Sequence, residues 1–397
     1  MKICSDKMDY SELFSADTHN FMRSPVRDIF KKVDLSKIYS FAGGYPHPST
    51  FPTDRLASMV ETVRQKYGDK ILQYGATQGT NELQDALSRR YDVPAENIQI
   101  TTSSQQGIDV TARVLVDPGD VVLVADPSYL GAIQSFKSYR ADIVGLDLTP
   151  SFEASKQRRA TLQALVDAGK KIKFFYTVPD FQNPSGETLT LAQRSELVAL
   201  AREFGFLILE DCPYRELRFE GQPQTTIYTL APERTIHLGS FSKVFAPGLR
   251  LGWMIAAPEI LDKVYVCKQA LDLCPPVLDQ YLAAEWLSSG ELDKNLEKTL
   301  ELYRGKRDLM ISMLEKYMPE GVSWTHPQGG LFLFLTLPEH IDTVALYDKA
   351  LAAGVAYVAG SFFYANGTHR NTMRLSYSFI DDDKIEKGIQ ILASLIR

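Results

Sequence analysis

The amino-acid sequence predicts an α/β fold: a large domain with a mostly parallel seven-stranded sheet and a smaller α+β C-terminal domain. Between about residues 98 and 257, short apolar runs alternate with longer amphipathic runs, which is typical of strands joined by helices. Several short runs are apolar throughout rather than alternating, so helices are expected on both faces of the sheet. The predicted strands are 97–101, 121–125, 141–146, 172–177, 206–209, 235–238 and 251–256.

Amphipathic patterns predict the helices. Residues 107–116 and 191–204 are predicted to connect strands of the large sheet. Residues 291–317 place apolar side chains at three- and four-residue steps, which predicts a long helix with one buried face. Apolar runs between 329 and 377, followed by a terminal helix at 382–396, predict the second domain, packed closely enough to leave a cleft.

Composition excludes several classes of function. The chain has 397 residues, which fits two domains rather than one small core. With 43 basic and 49 acidic residues, the formal charge of -6 offers no basic stripe, so nucleic acid and membrane partners are not expected.

Cysteine usage and the N-terminus predict the compartment. The four cysteines form no Cys-x-x-Cys pair and do not cluster with histidines in the sequence, so no metal site or disulfide framework is predicted. The first residues lack the apolar core of a signal peptide, and no apolar stretch is long enough to span a membrane. A cytoplasmic location is therefore expected.

Lys243 is the most informative residue of the sequence. It follows Ser240 and Ser242 at the end of an apolar run and precedes Arg250 by seven residues. Its amine can form a Schiff base with the aldehyde of pyridoxal 5'-phosphate, while the two hydroxyls and the guanidinium hold the phosphate. A solvated loop lysine is the alternative that this run alone leaves open.

Three polar residues follow predicted strands, where open α/β sheets bind ligands. Asp211 follows the strand 206–209, and a buried carboxylate there can keep the pyridine nitrogen of the cofactor protonated. Tyr214, three residues later, and Asn183, after the strand 172–177, can hydrogen-bond the phenolate oxygen of the cofactor. Ordinary turn formation is the competing interpretation for the aspartate and the asparagine.

Other residues suit the phosphate and the ring. Ser104 and Gln105 lie between a strand and a helix, and helix N-termini bind phosphate well. Tyr129 follows the next strand and offers an aromatic face to the pyridine ring. A plain N-cap serine and a packed tyrosine are the alternatives.

Arg374 is a charge inside the apolar run 373–377, which is costly unless the charge is paired. A planar guanidinium matches the α-carboxylate of an amino acid, so Arg374 is predicted to bind substrate. A structural salt bridge is the alternative. Tyr74 lies in a glycine-punctuated loop that has no clear meaning by itself.

Taken together, these stretches resemble the fold-type I pyridoxal-phosphate aminotransferases of class I/II, and among them the 2-aminoadipate and kynurenine aminotransferase subgroup. The resemblance runs from Phe41 to Arg374 and keeps the order of the family's motifs. The motifs are Tyr74-Gly75 with Gly79, Ser104-Gln105-Gln106-Gly107, Phe181-Gln182-Asn183-Pro184 with Gly186, Glu210-Asp211 with Pro213-Tyr214, and Ser240-Phe241-Ser242-Lys243 with Ala246-Pro247-Gly248-Leu249-Arg250.

The resemblance implies a role for each matched residue. Lys243 would bind the cofactor covalently and later move the proton between the substrate α-carbon and the cofactor. Arg374 and Asn183 would bind the substrate α-carboxylate, and Gly44 is expected beside the substrate. The other expected cofactor contacts are Asp211 to the pyridine nitrogen, Asn183 and Tyr214 to the phenolate oxygen, Tyr129 to the ring, and Ser104, Gln105, Ser240, Ser242 and Arg250 to the phosphate.

The resemblance also implies an assembly and a domain division. The tyrosine that matches Tyr74 reaches the phosphate in the neighbouring subunit, so a homodimer with shared active sites is expected. Residues 1–45 are expected to form an N-terminal arm and a segment of the small domain, 46–277 the large domain and 278–397 the small domain. In this subgroup the N-terminal segment folds over the substrate, so Arg23 is a hypothetical partner for a distal carboxylate. An exposed arginine without a role is the alternative.

The predicted function is transfer of an amino group from an L-amino acid to a 2-oxo acid by a ping-pong mechanism. Dicarboxylic donors such as 2-aminoadipate, aromatic donors and branched-chain donors remain open, and 2-oxoglutarate is the expected acceptor. Another pyridoxal-phosphate reaction, β-elimination or decarboxylation, is possible on the same fold. A non-enzymatic effector sensor is the third hypothesis, although the acidic balance opposes DNA contact.

Overall fold

A computed structural model describes residues 8–21 and 38–397. Its strands, in chain order, are β1 (Tyr39–Ser40), β2 (Ile98–Thr101), β3 (Val121–Ala125), β4 (Asp142–Leu146), β5 (Ile172–Thr177), β6 (Leu207–Asp211), β7 (Thr235–Ser240), β8 (Gly252–Ile255), β9 (Ser323–Trp324), β10 (Phe332–Thr336), β11 (Val355–Ala356), β12 (Val358–Ala359) and β13 (Thr372–Ser376).

The structure describes twelve helices, and between β2 and β7 one helix separates each strand from the next. They are α1 (Thr53–Tyr67), α2 (Asn81–Tyr91), α3 (Ser103–Leu115), α4 (Leu130–Ser138), α5 (Phe152–Asp167), α6 (Leu191–Phe204), α7 (Ile227–Leu230), α8 (Pro258–Leu271), α9 (Val277–Ser288), α10 (Glu291–Tyr317), α11 (Thr343–Ala352) and α12 (Asp382–Ile396). Short 3-10 turns cover Ser11–Leu13, Ala16–Asn20, Pro48–Thr50, Gly68–Leu72, Ala95–Asn97, Phe241–Lys243, Pro247–Leu249 and Gly360–Phe363.

The large sheet has seven strands in the order β2-β8-β7-β6-β5-β3-β4. Strand β8 runs antiparallel to both of its neighbours, and the other pairings are parallel. The mostly parallel sheet predicted from the sequence is thus confirmed. Strands β3 and β5 have the predicted bounds, and the others differ by one or two residues at an end. Strands β6 and β7 are longer than predicted because Asp211 still pairs with Leu238, and Ser240 with Gly252.

Apolar side chains on both faces of the sheet are buried under helices. On one face, Leu123 and Phe175 pack in a core with Leu162 of α5 and Leu197 of α6. On the other, the core includes Val122 of β3 together with residues of α3, α4 and α8. Burial on both faces explains why these strands are apolar throughout.

A second, antiparallel sheet has the order β12-β13-β10-β9, and β1 pairs in parallel with β11. Helices α10 and α12 pack against each other beside this sheet. The N-terminal strand therefore joins the C-terminal part of the chain in space. The domain bounds at 46–277 and 278–397 stay predictions.

The start of α3 corrects one prediction. The helix begins at Ser103 rather than at residue 107, with Thr102 as its N-cap. The Gln106 side chain reaches back and accepts the backbone N-H of Thr102 at 2.8 Å, which stabilises an earlier first turn. Helices α6, α10 and α12 have their predicted bounds.

None of the helices in residues 8–21 and 38–397 combines the length and the apolar character needed to cross a membrane.

Candidate active site

One cavity of about 700 Å³ opens at the carboxyl edge of the large sheet and reaches β10 and β13 of the second sheet. It brings together most of the residues that the sequence singled out, although they are far apart in the chain. Those lining it are Gly44, Ser104, Gln105, Tyr129, Asn183, Asp211, Tyr214, Ser240, Ser242, Lys243, Arg250 and Arg374.

Asp211 is the last residue of β6, and its carboxylate is buried. The Tyr176 hydroxyl, on the neighbouring strand β5, donates to Asp211 Oδ2 at 2.8 Å. Within the described part of the chain, Oδ1 has no hydrogen-bond partner. Burial raises the pKa of Asp211 to about 7, although the hydrogen bond from Tyr176 opposes the rise. The free oxygen can accept one more N-H group.

Lys243 follows β7 within a single 3-10 turn, which Ser240 caps by accepting the N-H of Ser242 at 3.1 Å. Lys243 Nζ donates to the carbonyl oxygen of Gly44 at 2.9 Å. Burial, together with the charges of Arg374 and Arg250, lowers the pKa of Lys243 to about 8. A larger share of the amine is then unprotonated near neutral pH, as a nucleophile requires.

The first turn of α3 lies at the other end of the cavity. Ser103, Ser104 and Gln105 line it, and backbone N-H groups at a helix start have no partners within the helix. Arg250 Nη2 donates to Ser103 Oγ at 2.7 Å. Gly252 permits this arrangement, because a Cβ atom there would lie 2.7 Å from the backbone of Ser103 and Ser104. Anions are stabilised by such a site.

Arg374 lies on β13 and is buried. Its Nη1 donates to Asn183 Oδ1 at 2.7 Å, and its Nη2 donates to the carbonyl of Ala42 at 2.5 Å. The rings of Phe332 and Phe363 lie 4.4 and 5.0 Å from the guanidinium carbon.

No carboxylate forms an ion pair with Arg374 among residues 8–21 and 38–397, and its Nε has no hydrogen-bond partner there. The alternative of a structural salt bridge is therefore not observed in that part of the chain. Burial lowers the pKa of Arg374 to about 10, which still leaves it charged at neutral pH. The guanidinium can bind an anion that enters the cavity.

Asn183 and Tyr214 come from the loops after β5 and β6. Burial raises the pKa of the Tyr214 hydroxyl, whereas a hydrogen bond with Asn183 lowers it. The Tyr214 ring packs edge-to-face on Phe332, with centroids 5.6 Å apart. Tyr129 donates its hydroxyl to Gln105 Oε1 at 3.1 Å and is half-buried. These contacts hold both tyrosines at the cavity wall.

Two predicted residues are not part of this cavity as described. Tyr74 is 80% exposed and does not line the cavity of its own chain. Arg23 lies outside the described residues, so its predicted contact with substrate stays a hypothesis.

Sequence reasoning missed several residues that shape the site. Tyr176 pairs with Leu209, two residues before Asp211, so Tyr176 and Asp211 lie on the same face of the sheet. A tyrosine inside an apolar strand is a signal that its hydroxyl needs a buried partner. Ser103, next to the predicted Ser104, also lines the cavity and accepts from Arg250. Phe332 and Phe363 gave no signal, because only the packing of the second sheet places them beside Arg374.

The fold brings one cysteine close to a histidine that is distant from it in the sequence. Cys212 lies close to Glu210 and His237, with potential ligand atoms within 4.8 Å of one another, although the sequence shows no such cluster. The reason is that Glu210 and His237 are register partners on β6 and β7. His237 Nδ1 and Glu210 Oε2 are 2.9 Å apart, and Glu210 also accepts the N-H groups of Ile227 and Tyr228.

Pyridoxal 5'-phosphate fits the residues that line the cavity. Asp211 offers an unpaired buried carboxylate oxygen for a pyridine N-H, and Lys243 offers an amine with a lowered pKa. The start of α3, with Arg250 nearby, offers donors for a phosphate. The pyridine nitrogen, the aldehyde and the phosphate of the cofactor thus each have a chemically matched partner.

Comparisons with known proteins agree with this site. The sequence profile of the family described as "Aminotransferase class I and II" matches residues 42–392. The chain is 41% identical over 403 residues to aromatic-amino-acid aminotransferase 1 of Thermococcus litoralis, covering 100% of this chain and 97% of that protein. It is 35% identical to 2-aminoadipate transaminase of Thermus thermophilus, with 98% of each chain covered.

A solved structure gives the same result. The crystal structure of Pyrococcus horikoshii kynurenine aminotransferase in complex with PMP superposes with a TM-score of 0.93, at 41% identity over 98% of each chain. The predicted fold-type I architecture and the predicted enzyme class are confirmed. The chain belongs to the aminotransferase class I and II family and is a pyridoxal-phosphate-dependent aminotransferase.

Proposed function

We propose that this enzyme transfers the amino group of an L-amino acid to a 2-oxo acid, with aromatic donors preferred and 2-oxoglutarate as the acceptor. The observation that carries the proposal is that the Lys243 amine, the Asp211 carboxylate and the Arg374 guanidinium face one cavity. A ping-pong mechanism follows, because donor and acceptor use the same site in turn.

In this proposal the large domain holds the cofactor. The free oxygen of Asp211 accepts from the pyridine nitrogen, Asn183 and Tyr214 contact the phenolate oxygen, and Tyr129 packs on the ring. The phosphate is held by Ser104, Gln105, Ser240, Ser242 and Arg250. When bound, pyridoxal phosphate supplies an electron sink that stabilises negative charge at the substrate α-carbon.

The chain's own groups then bind substrate and move the proton. Arg374 binds the α-carboxylate in bidentate fashion, and Asn183 fixes the guanidinium from one side. Gly44 lies beside the Lys243 amine, where a side chain would collide with the Phe332 ring. Lys243, with its lowered pKa, removes the proton from the α-carbon and returns it during the second half of the cycle.

The lining of the cavity supports aromatic donors. Its cationic side chains, counted over residues 8–21 and 38–397, are Lys243, Arg250 and Arg374. Each of these already has a role, so any distal carboxylate, including that of 2-oxoglutarate, needs a cation from outside this lining, and Arg23 is our candidate. Phe21, Tyr45, Leu130 and Phe363 add apolar surface. The 41% identical protein of Thermococcus litoralis, named for aromatic amino acids, supports the same choice.

A donor screen tests this proposal. The purified protein with pyridoxal phosphate and 2-oxoglutarate is given aromatic, branched-chain and dicarboxylic L-amino acids, and glutamate formed is measured; with glutamate as donor, the oxo acid is varied instead. We expect the largest kcat/KM for an aromatic donor, and a Lys243→Ala variant should form no glutamate above background. Release of ammonia with pyruvate, or of carbon dioxide, without an acceptor would instead indicate a lyase or a decarboxylase.

An Arg23 variant tests whether this residue binds the distal carboxylate of a dicarboxylic donor. If a dicarboxylic donor wins the screen, Arg23→Ala should lower the ratio of dicarboxylic to aromatic kcat/KM. An unchanged ratio would remove Arg23 from substrate recognition.

We further propose a homodimer located in the cytoplasm, in which Tyr74 reaches the phosphate bound by the partner subunit. Exposed apolar side chains support such an interface: Leu72 is 82% exposed, Tyr74 80% and Leu273 58%. Large apolar side chains that contact water in one chain are typical of surfaces covered by another.

A further inference from the structure

A buried ion pair lies directly behind the first turn of α3. Lys268, on α8, has a fully buried side chain, and its Nζ lies 3.0 Å from both carboxylate oxygens of Asp272. Asp272 follows the end of α8 and is about a quarter exposed. A buried cation is costly to retain unless its contacts are well satisfied.

The pair fixes one amide side chain in a single orientation. Gln106 Oε1 accepts from Lys268 Nζ at 2.8 Å and from the backbone N-H of Thr102 at 2.8 Å. Its Nε2 donates to Asp272 Oδ2 at 2.6 Å. Reversing the amide would place donors against donors, so Lys268 and Asp272 determine which way Gln106 points.

The same carboxylate also holds the N-cap of α3. The Thr102 hydroxyl donates to Asp272 Oδ2 at 3.1 Å. Although burial opposes ionisation, the hydrogen bonds from Gln106 and Lys268 lower the pKa of Asp272, so it is an anion at neutral pH. Thr102 and Gln106 stand immediately before and after residues 103–105, the part of the first turn of α3 that lines the cavity.

We propose that Lys268 and Asp272 are positioning residues for the cofactor phosphate, which they serve by fixing Thr102 and Gln106 on either side of the phosphate-facing turn. Neither lines the cavity, so their effect is transmitted through α3. This inference rests on the proposed phosphate contacts of Ser104 and Gln105. A shift of these donors by a fraction of an ångström weakens several charge-assisted hydrogen bonds together.

The test compares two ligands that differ only by the phosphate. Equilibrium binding of pyridoxal 5'-phosphate and of pyridoxal to the cofactor-free protein is measured by fluorescence for the wild type, Asp272→Asn and Lys268→Met. We expect both variants to bind pyridoxal phosphate about tenfold more weakly, as for loss of a charge-assisted hydrogen bond, with pyridoxal affinity unchanged. With saturating cofactor, the KM of the amino acid donor should also be unchanged.

A matched control uses another lysine of the same helix. Lys263 pairs with Asp262, but both side chains are more than 60% exposed, at 69% and 62%. Lys263→Met should leave the affinity ratio of the two ligands at the wild-type value. A changed ratio in this control would mean that general charge, rather than positioning, sets phosphate affinity, and would overturn the inference.

The remaining outcomes are equally decisive. Equal weakening of both ligands in Asp272→Asn would show a merely structural role, and unchanged binding in Asp272→Asn would also overturn the inference. If Lys268→Met fails to fold, as judged by circular dichroism, the Asp272→Asn variant still tests the inference, because Asp272 is partly exposed. A wild type that binds pyridoxal as tightly as pyridoxal phosphate would instead refute the proposed phosphate site itself.

Discussion

Arg374 shows how a buried charge can be kept for a ligand. Its guanidinium donates to an amide and a carbonyl and lies between two aromatic rings, but it has no carboxylate partner in the described part of the chain. Such contacts hold the planar group without neutralising it. The remaining charge is available for a substrate carboxylate.

Substitution of Arg374 tests this assignment. Arg374→Lys keeps the charge but removes the planar fork, so we expect kcat/KM for an aromatic donor to fall about 100-fold, mainly through KM. The dissociation constant of 3-phenylpropionate, a carboxylate without an amino group, should rise in parallel. Arg370→Lys, on an exposed arginine paired with Asp342, is the control. Unchanged binding of 3-phenylpropionate to Arg374→Lys would contradict the assignment.

Asp211 predicts a pH dependence of stability in the cofactor-free protein. Its pKa is raised from 3.8 to about 7 in the folded state, so the folded protein holds a proton that the unfolded chain releases at lower pH. Its contribution to the free energy of unfolding is therefore complete below about pH 4 and is lost as the pH rises through 7.

Urea unfolding at a series of pH values measures this contribution. The difference in unfolding free energy between wild type and Asp211→Asn should decrease from pH 4 to pH 7. The asparagine does not titrate, which makes it a suitable reference. A difference that stays constant over this range would argue against a raised pKa.

At this scale, residue types with an obvious chemical purpose could be predicted from the sequence, and their neighbours could not. Asp211 ends one strand and Asn183 and Lys243 each follow another, so the sheet edge brings them together. The aromatic rings beside Arg374 come from β10 and from the 3-10 turn Gly360–Phe363, and no local pattern encodes that proximity.

At the scale of elements, one buried carboxylate connects the loops that carry the site. Asp180, in the loop after β5, accepts from Arg194 of α6 at 2.9 Å. It also accepts from Arg215 and Arg218, in the segment after β6, at 3.0 and 3.2 Å. The loop of Asn183 and the loop of Tyr214 are thereby held to each other and to α6.

Loss of the Asp180 charge should therefore strongly reduce the stability of the folded protein. Asp180→Asn removes the nearer carboxylate of the buried Arg194 and leaves it only Glu210, at 4.0 Å, so we expect about 3 kcal/mol less stability in urea unfolding of the cofactor-free protein. As a control, Asp142→Asn removes an exposed partner of Lys170 and should cost less than about 1 kcal/mol. Similar effects for the two variants would show that the buried cluster is not a stabilising connection.

The observed ends of the helices agree with the predicted ends where the hydrophobic periodicity extends over many residues. Helices α10 and α12 begin and end where predicted, because one buried face runs through each. The first turn of α3 was missed, since its stability comes from Gln106 and from the Lys268–Asp272 pair on another helix. A long-range polar network leaves no periodic pattern.

At the scale of the whole molecule, the proposed dimer makes a measurable prediction. Light scattering should give twice the 44.5 kDa mass of one chain. Tyr74→Ala should keep that mass yet weaken pyridoxal phosphate binding about tenfold, because the lost contact belongs to the partner's site. Tyr74→Phe keeps the ring, so it measures how much of the weaker binding is due to loss of the hydroxyl. A monomer that binds the cofactor as tightly as the dimer would contradict shared sites.

The pairing of β1 with β11 has a consequence for synthesis on the ribosome. The strands of the large sheet lie between residues 98 and 255, whereas residues 39–40 pair with residues 355–356, near the end of the chain. We therefore expect the part of the nascent chain that carries Asp211 and Lys243 to fold well before Arg374 leaves the ribosome. A chain still being translated would then have its cofactor groups assembled while it could not yet hold a substrate.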